Sequence, residues 1–182
     1  DNESFLRIAA TWVSFGPHRR NLAEMLAVAE QVMRMPHAGL DPRQLAAALN
    51  NSSNLFFITG QRSQMEKLFN EERELAEKSG QANARLGSLR HKATMAFLDG
   101  RLEEAADIGH QMLTLGSELG MNAAAISTFG GGSAKALLAM GQAEEALKIF
   151  QSDENPNQFE VVLANYLAHI GRDAEVAELL SK

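Results

Sequence analysis

The segment of this chain that most suggests a reactive site is GGGSAK at residues 130–135. A glycine-rich loop with a lysine and a hydroxyl group can cradle phosphate, because its backbone N–H groups point at the anion. Such a loop needs the spacing G-x-x-x-x-G-K-[ST] directly after a strand. Here Ala134 precedes the lysine inside a helical pattern. The sequence therefore argues against a nucleotide site at this segment.

The three glycines, Gly130, Gly131 and Gly132, still need an explanation. Within a helix they would cost about 2–3 kcal/mol relative to alanine, so we expect a compensating role. One role is to let another helix pack closely, or to loosen the first turn of the helix. A different hypothesis is a bound segment that must approach the backbone closely. In that case, alanine replacements should stabilise the fold and abolish binding.

The histidines, carboxylates and hydroxyl groups are not spaced for metal binding or catalysis. No two histidines share the i, i+4 spacing of a helical zinc pair, and no H-E-x-x-H sequence occurs. The pairs at residues 103–104 and 144–145 are glutamates at expected helix starts, where carboxylates favour the positive helix end. No serine lies in a nucleophile elbow. We therefore predict no catalytic activity, no metal and no cofactor. The histidines are His18, His37, His91, His110 and His169.

Composition excludes several further classes. The 182 residues carry a net charge of −6, which argues against contact with nucleic acid. The chain has no cysteine, as is common in a reducing cytoplasm, and no apolar run near the roughly 20 residues of a membrane span. We expect a cytoplasmic protein with no membrane segment. Because the chain starts at Asp1 and ends at Lys182 beside helical patterns, we also expect a piece of a longer protein.

A sequence pattern recurs in which glycine precedes a short polar stretch and then small and apolar residues at helical spacing. It is clearest in GRLEEAA from Gly100 and GQAEEAL from Gly141, with weaker copies from Gly16, Gly60 and Gly171. The successive spacings are 44, 40, 41 and 30 residues. A second series of two glycines, at 80 and 120, lies between members of the first. This pattern predicts repeated helix–turn–helix units.

Hydrophobic periodicity predicts ten amphipathic helices. Three starts carry cap signals: Ser4, Asp41 before a proline, and Ser63 with Glu66 as a capping-box partner. The fourth helix has a charged face opposite its apolar face, and this charged face includes Glu72. The approximate predicted bounds are residues 4–15, 17–35, 41–60, 63–80, 84–98, 102–119, 123–140, 143–150, 158–170 and 174–180.

These features resemble the tetratricopeptide repeat superfamily, which has small residues in both helices of a pair and glycine at the turn. On the turn-glycine alignment, the first-helix position falls on Ala9, Ser53, Ala93, Ala134 and Ala164. The second-helix position falls on Ala105 and Ala146, and on Met65 and Val176 in weaker copies. The units, at about 40 residues, exceed the usual 34, as in multidomain bacterial signalling and transcriptional regulators.

The resemblance implies an all-α fold, a right-handed superhelical solenoid of about four and a half antiparallel helix pairs. It implies a single domain over residues 1–182. The approximate units are residues 4–35, 42–80, 84–120, 123–152 and 158–181.

In tetratricopeptide arrays the first helix of each pair lines a concave groove, and the resemblance carries these positions over. Arginine and asparagine there could hold a carboxylate or a peptide backbone. Some members use a lysine–asparagine–arginine clamp, and Asn54 and Asn165 stand at its asparagine position, although the full set is not reproduced. Alternatively, the polar residues form an ordinary solvated face, and Phe57 and Phe97 are core. The implied positions are Asn50, Asn54, Phe57, Arg90, Thr94, Phe97, Gly131, Lys135, Leu138, Asn165 and His169.

The resemblance favours a non-catalytic scaffold or sensor module that binds a protein or peptide within a larger regulator. A second hypothesis is an inducer module that binds a small ligand and controls an adjacent ATPase, cyclase or DNA-binding domain. A third is an array that forms a homodimer through Trp12 and the first helix, or through the last helix. A groove for RNA is disfavoured by the acidity and by the few aromatic residues at groove positions.

Overall fold

The computed structural model describes residues 2–14, 21–79, 82–153 and 156–181, and every regular element in those ranges is helical. The first six helices are α1 (Asn2–Ser14), α2 (Leu22–Arg34), α3 (Pro42–Ile58), α4 (Arg62–Ser79), α5 (Ala82–Leu98) and α6 (Leu102–Glu118). The others are α7 (Asn122–Phe129), α8 (Gly132–Ala139), α9 (Ala143–Gln151), α10 (Glu160–His169) and α11 (Asp173–Leu180), with a 3₁₀ turn at Pro156–Phe159. The predicted all-α class is confirmed.

Five of the predicted turn glycines end helices in one recurring way. At Gly100, the glycine N–H donates to the Phe97 carbonyl at 3.0 Å, and the next N–H, of Arg101, donates to Ala96 at 2.9 Å. This is the Schellman motif, which needs a left-handed residue, and Gly100 has φ +75°. The same bond pair and a positive φ recur at Gly60, Gly120, Gly141 and Gly171. The recurring sequence pattern therefore marks the end of one helix and the start of the next.

The helix starts follow the cap predictions only in part. Asp41 caps α3, since its Oδ1 accepts from the N–H groups of Arg43 and Gln44 at 2.9 and 3.0 Å. The predicted caps at Ser4 and Ser63 are wrong, because α1 begins at Asn2 and α4 at Arg62, so both serines lie inside helices. The Glu66 carboxylate binds Arg62 at 2.6 Å.

The predicted seventh helix, residues 123–140, is wrong as one element. It is broken into α7 and α8, with Gly130 and Gly131 in the break and Gly132 as the first residue of α8. Close packing accounts for Gly132, since a Cβ there would lie 2.6 Å from backbone atoms of Ala93 and Thr94 in α5. Gly132 thus allows two backbones to approach, as the close-packing alternative proposed.

The chain divides into two compact units, Asp1–Ser88 and Leu89–Lys182, with the boundary inside α5. In the first unit, α3 packs against α1, α2 and α4, and Asn51 Nδ2 donates to the Ala10 carbonyl at 2.8 Å. In the second unit, α6 packs against α7 and α8, and α10 against α9 and α11. No helix in the described ranges is long and apolar enough to cross a membrane.

The small positions implied by the repeat alignment are buried in both units. Ala93, Ala105, Ala134 and Ala146 have no solvent exposure, and neither has Ser53. Small buried side chains let neighbouring helices approach closely. Val176 in the last predicted repeat is only half-buried, and no side chain of α11 is fully buried.

The core of the second unit is built around one aromatic side chain. The ring of Phe150 lies 6.0 Å from Phe129, 5.3 Å from Phe159 and 5.7 Å from Tyr166, measured between centroids. The three pairs have interplanar angles between 47° and 63°. Tilted and edge-on pairs of this kind add to the stabilisation from burial alone. Phe150 therefore joins α7, α9, the 3₁₀ turn and α10.

The only tyrosine of the chain, Tyr166, provides a test of this core. Burial raises its pKa to about 12, above the ordinary value of about 10. The folded state holds the phenol proton more tightly than the unfolded state. This contribution to stability is therefore complete below about pH 10 and is lost as the pH rises towards about 12. We expect the ultraviolet absorbance of phenolate to appear near pH 12 in the folded protein and near pH 10 in urea. Equal midpoints would contradict the burial of Tyr166.

Several predictions fall outside the described residues. These are the Trp12 side chain, the Gly16 turn with residues 17–20, and the helix stop at Gly80. The homodimer hypothesis that depends on Trp12 stays a prediction.

Candidate functional site

In the first unit, the predicted groove positions form a half-buried stripe on α3. Asn50, Asn54 and Phe57 follow one another at i, i+4 and i+7, and each is partly exposed. The Asn50 carbonyl accepts a hydrogen bond from the buried Ser53 hydroxyl at 2.8 Å. The stripe therefore presents two amide side chains and one aromatic ring, without a full charge.

In the second unit, the site begins with the last turns of α5. Arg90 and Phe97 are half-buried. Thr94 is 8% exposed, and its hydroxyl donates to the Arg90 carbonyl at 2.9 Å. Thr94 thus contributes little accessible surface, and the predicted stripe on this helix is mainly one cation and one ring.

A buried histidine holds the Arg90 side chain. Arg90 Nη2 lies 3.1 Å from His91 Nε2, and a guanidinium group can only donate, so Nε2 is the acceptor. Burial lowers the pKa of His91 well below its usual value, and the Arg90 charge lowers it further. His91 is therefore neutral at pH 7 and orients the guanidinium group without adding charge.

The structure brings Arg90 to the glycine break between α7 and α8. A Cβ on Gly131 would lie 3.3 Å from Arg90 Cγ and 3.7 Å from Arg90 Cδ. The arginine stem thus lies directly over the Gly131 backbone. Two of the predicted positions, one in α5 and one in the break between α7 and α8, are neighbours for this reason.

The remaining predicted positions lie on α8 and α10. Lys135 is exposed on α8, while Leu138 is half-buried and packs against the aromatic core. Asn165 and His169 are both exposed, one turn apart on α10. The predicted positions of the second unit therefore combine two permanent cations with an amide, an imidazole and apolar neighbours.

Two of the four glutamates considered for catalysis, Glu104 and Glu145, contact basic side chains. Glu104 pairs with Arg101 in the first turn of α6. Glu145 Oε1 lies 2.8 Å from His110 Nε2, so this carboxylate bridges α9 and α6. The described residues contain no group of three potential metal ligands.

One acidic residue differs from the sequence prediction. Glu72 belongs to the charged face predicted for α4, yet its side chain is buried, with 4% exposure. A Cβ on Gly87 would lie 2.9 Å from Glu72 Oε1, so the missing side chain at Gly87 leaves room for the carboxylate. The periodicity of α4 alone could not show this, because the space is provided by a different helix.

Comparison with known proteins gives a match at the level of the fold. Neither a family model nor a curated protein matches the chain. A crystal structure of a single-substitution variant of a Podosopora anserina putative kinesin light chain with nearly identical TPR-like repeats matches with a TM-score of 0.63 and 18% identity, over 100% of this chain and 93% of that one. A second structure of that protein has a TM-score of 0.59 and 17% identity, over 98% and 90% of the two chains. The chain therefore has a tetratricopeptide-like helical-repeat fold.

Proposed function

We propose that the chain is a non-catalytic protein-interaction scaffold, and that its first-helix surface binds a peptide segment that carries carboxylates. The first-helix surface is the set of exposed and half-buried side chains on the first helices of the second unit: α5 from residue 89 onwards, α7, α8 and α10. The support is the distribution of charge between the two helices of each pair. The tetratricopeptide-like fold agrees with such a role.

Charge is divided unequally between the first and second helices. The first helices contain six basic and two acidic residues, a net charge of +4 with histidine neutral. The second helices, α2, α4, α6, α9 and α11, contain sixteen acidic and six basic residues, a net charge of −10. A chain with a net charge of −6 thus keeps a basic set of first helices. This arrangement favours an anionic partner for the first-helix surface.

The second unit gives this partner its local chemistry. Arg90, oriented by His91 over the Gly131 backbone, offers a planar guanidinium group that suits a carboxylate. Lys135 adds a flexible cation, and Asn165 an amide with both donor and acceptor atoms. The half-buried Phe97 supplies apolar surface beside them. A peptide with alternating acidic and aliphatic side chains would satisfy both kinds of contact.

Binding of blocked, fluorescent decapeptides would test the proposal. We expect a peptide of alternating glutamate and leucine to raise the anisotropy saturably, and the matched glutamine–leucine peptide to bind at least about tenfold more weakly. The Lys135→Ala substitution should weaken binding of the acidic peptide about two- to fivefold, the range of one exposed ion pair. Added salt should weaken it as well.

A second exposed lysine of the same unit provides the control. Lys148 lies on α9, a second helix, so Lys148→Ala should leave the affinity unchanged. Arg90→Ala and Asn165→Ala should weaken binding, with circular dichroism used to verify that each variant folds. Equal binding of the acidic and glutamine peptides, or equal loss in both lysine variants, would contradict the proposal.

The wider context stays a prediction from the resemblance. A sensing role beside an ATPase, cyclase or DNA-binding domain would place the first-helix surface within a larger regulator. The peptide experiment tests the surface itself and does not depend on that context.

A further inference from the structure

The turn between α2 and α3, residues 35–41, holds a histidine between two hydrogen-bond acceptors. His37 Nε2 lies 2.8 Å from the carbonyl oxygen of Val32, in the last turn of α2. The other ring nitrogen, Nδ1, lies 3.3 Å from Glu71 Oε2 on α4. All three residues belong to the first unit. The imidazole therefore joins the α2–α3 turn to α4 through a carbonyl and a carboxylate, and both of these groups accept hydrogen bonds without donating.

The Val32 carbonyl needs the proton on Nε2. The Met35 N–H donates to the Gln31 carbonyl at 3.0 Å, and the next bond in this helical series would run from residue 36 to Val32. Residue 36 is Pro36, which has no N–H. Val32 has no solvent exposure, so water cannot replace the missing donor. Because a buried carbonyl without a donor is destabilising, the neutral imidazole carries its proton on Nε2.

In that neutral form, the Glu71 carboxylate faces a lone pair. The proton on Nε2 leaves Nδ1 as an acceptor, directed at Glu71 Oε2. This oxygen is buried and has no hydrogen bond within the described ranges. A second proton on the ring converts Nδ1 into a donor and gives the carboxylate a charge-assisted hydrogen bond. The contact between His37 and Glu71 is therefore favourable only when both ring nitrogens are protonated.

The other charged groups near the turn are engaged elsewhere or exposed. On α2, Arg34 binds Glu30 at 3.0 Å. On α3, Asp41 caps its own helix. On α4, Glu72 lies beside Gly87. The exposed charges within about one turn of Asp41 or Glu71 are Arg43, Lys67, Arg73 and Glu74. Within the described residues, only Glu71 among these groups contacts the imidazole. The end of α2 also favours a positive charge on the ring, because the carbonyl end of a helix is negative.

We propose that His37 is a pH-sensitive latch that holds the α2–α3 turn against α4 when both ring nitrogens are protonated. In acid, the ring donates to both Val32 and Glu71. As the pH rises and the second proton leaves, the bond to Val32 remains and the bond to Glu71 is lost. The latch is therefore complete at low pH and weaker at high pH. It lies in the first unit, so it does not depend on the peptide surface proposed for the second unit.

Backbone hydrogen exchange would measure the latch. The Met35 N–H donates to Gln31 at 3.0 Å and the Leu40 N–H donates to the His37 carbonyl at 3.4 Å, so both amides report opening of the turn. Their protection factors, corrected for the intrinsic pH dependence of exchange, would be compared at about pH 5.5 and about pH 8, on either side of the range in which histidines commonly titrate. We expect protection to be about two- to fivefold higher at the lower pH, the range of one partly exposed ion pair.

The Glu71→Gln substitution tests the origin of this difference while keeping the size of the side chain. A glutamine amide can donate to the Nδ1 lone pair of the neutral ring, so the turn should be equally protected at both pH values. Glu145→Gln makes the same change at the His110–Glu145 contact of the second unit, and it should leave the two- to fivefold difference intact. Equal protection at both pH values in the unsubstituted chain, or an undiminished difference in Glu71→Gln, would overturn the proposal.

The tautomer of His37 provides a second test in the unsubstituted chain. Long-range ¹H–¹⁵N spectra of the protein labelled at histidine distinguish a proton on Nε2 from one on Nδ1, and the His37→Gln spectrum would identify the His37 signals. At about pH 8 we expect the neutral form with the proton on Nε2. The form with the proton on Nδ1 would overturn the proposal, because Glu71 would then have its donor without a second proton on the ring.

Discussion

Replacing Phe150 by alanine is expected to lower the free energy of unfolding by about 3–5 kcal/mol. The ring is 1% exposed and contacts three other aromatic rings, which belong to α7, the 3₁₀ turn and α10. Its removal leaves a cavity where these elements meet α9, and rigid neighbours collapse into such a space only partly. Urea denaturation followed by the circular dichroism of the helices would measure the loss.

The control for this experiment is Val161→Ala in the same unit. Val161 is 80% exposed, so its truncation should change the stability by less than about 0.5 kcal/mol. A loss below about 1 kcal/mol for Phe150→Ala would mean that the aromatic cluster does not hold the second unit together.

The Gly132→Ala substitution is expected to destabilise the protein by about 2–3 kcal/mol. A Cβ at this position would lie 2.6 Å from the carbonyl carbon and oxygen of Ala93 and from the Cα of Thr94. These are backbone atoms, so the clash cannot be relieved by a change of rotamer, and α8 must move away from α5. Overpacking of this kind usually costs about 1–3 kcal/mol. The same urea experiment would measure it.

The neighbouring Gly130→Ala variant is a demanding control, since it adds the same methyl group two residues away. There the Cβ would lie 3.3 Å from the Ser127 carbonyl oxygen and 3.5 Å from the Phe150 ring, so we expect a change within about 1 kcal/mol. If Gly132→Ala were neutral or stabilising, the close approach of α5 and α8 would be wrong. The sequence hypothesis that alanine replacements stabilise the fold would then regain support.

The repeat pattern predicts the fold well because its signals are local. A Schellman stop depends on a few adjacent residues, and glycine at Gly60, Gly100 or Gly141 is the residue that this backbone conformation favours. The small positions also follow the helical period, so Ala93 and Ala134 could be placed in the core by alignment to the turn glycine alone. Both kinds of signal can be read without knowing which helices meet.

Two features that the sequence did not predict have a different cause. Gly132 at the start of α8 meets the backbone of α5, and Glu72 of α4 is buried against Gly87 of α5. Periodicity describes one helix at a time, and it cannot show that Gly87 leaves space for a carboxylate from α4.

The amino-acid sequence by itself determined the helical class, the turn glycines and the small core positions. Each of these is a property of residue type and short spacing. Only the tertiary structure decided that Arg90 lies over Gly131 and that Gly132 meets the backbone of α5. Those features arise where residues distant in the chain come into contact, and the free energy of such contacts depends on shape and distance that no single helix encodes.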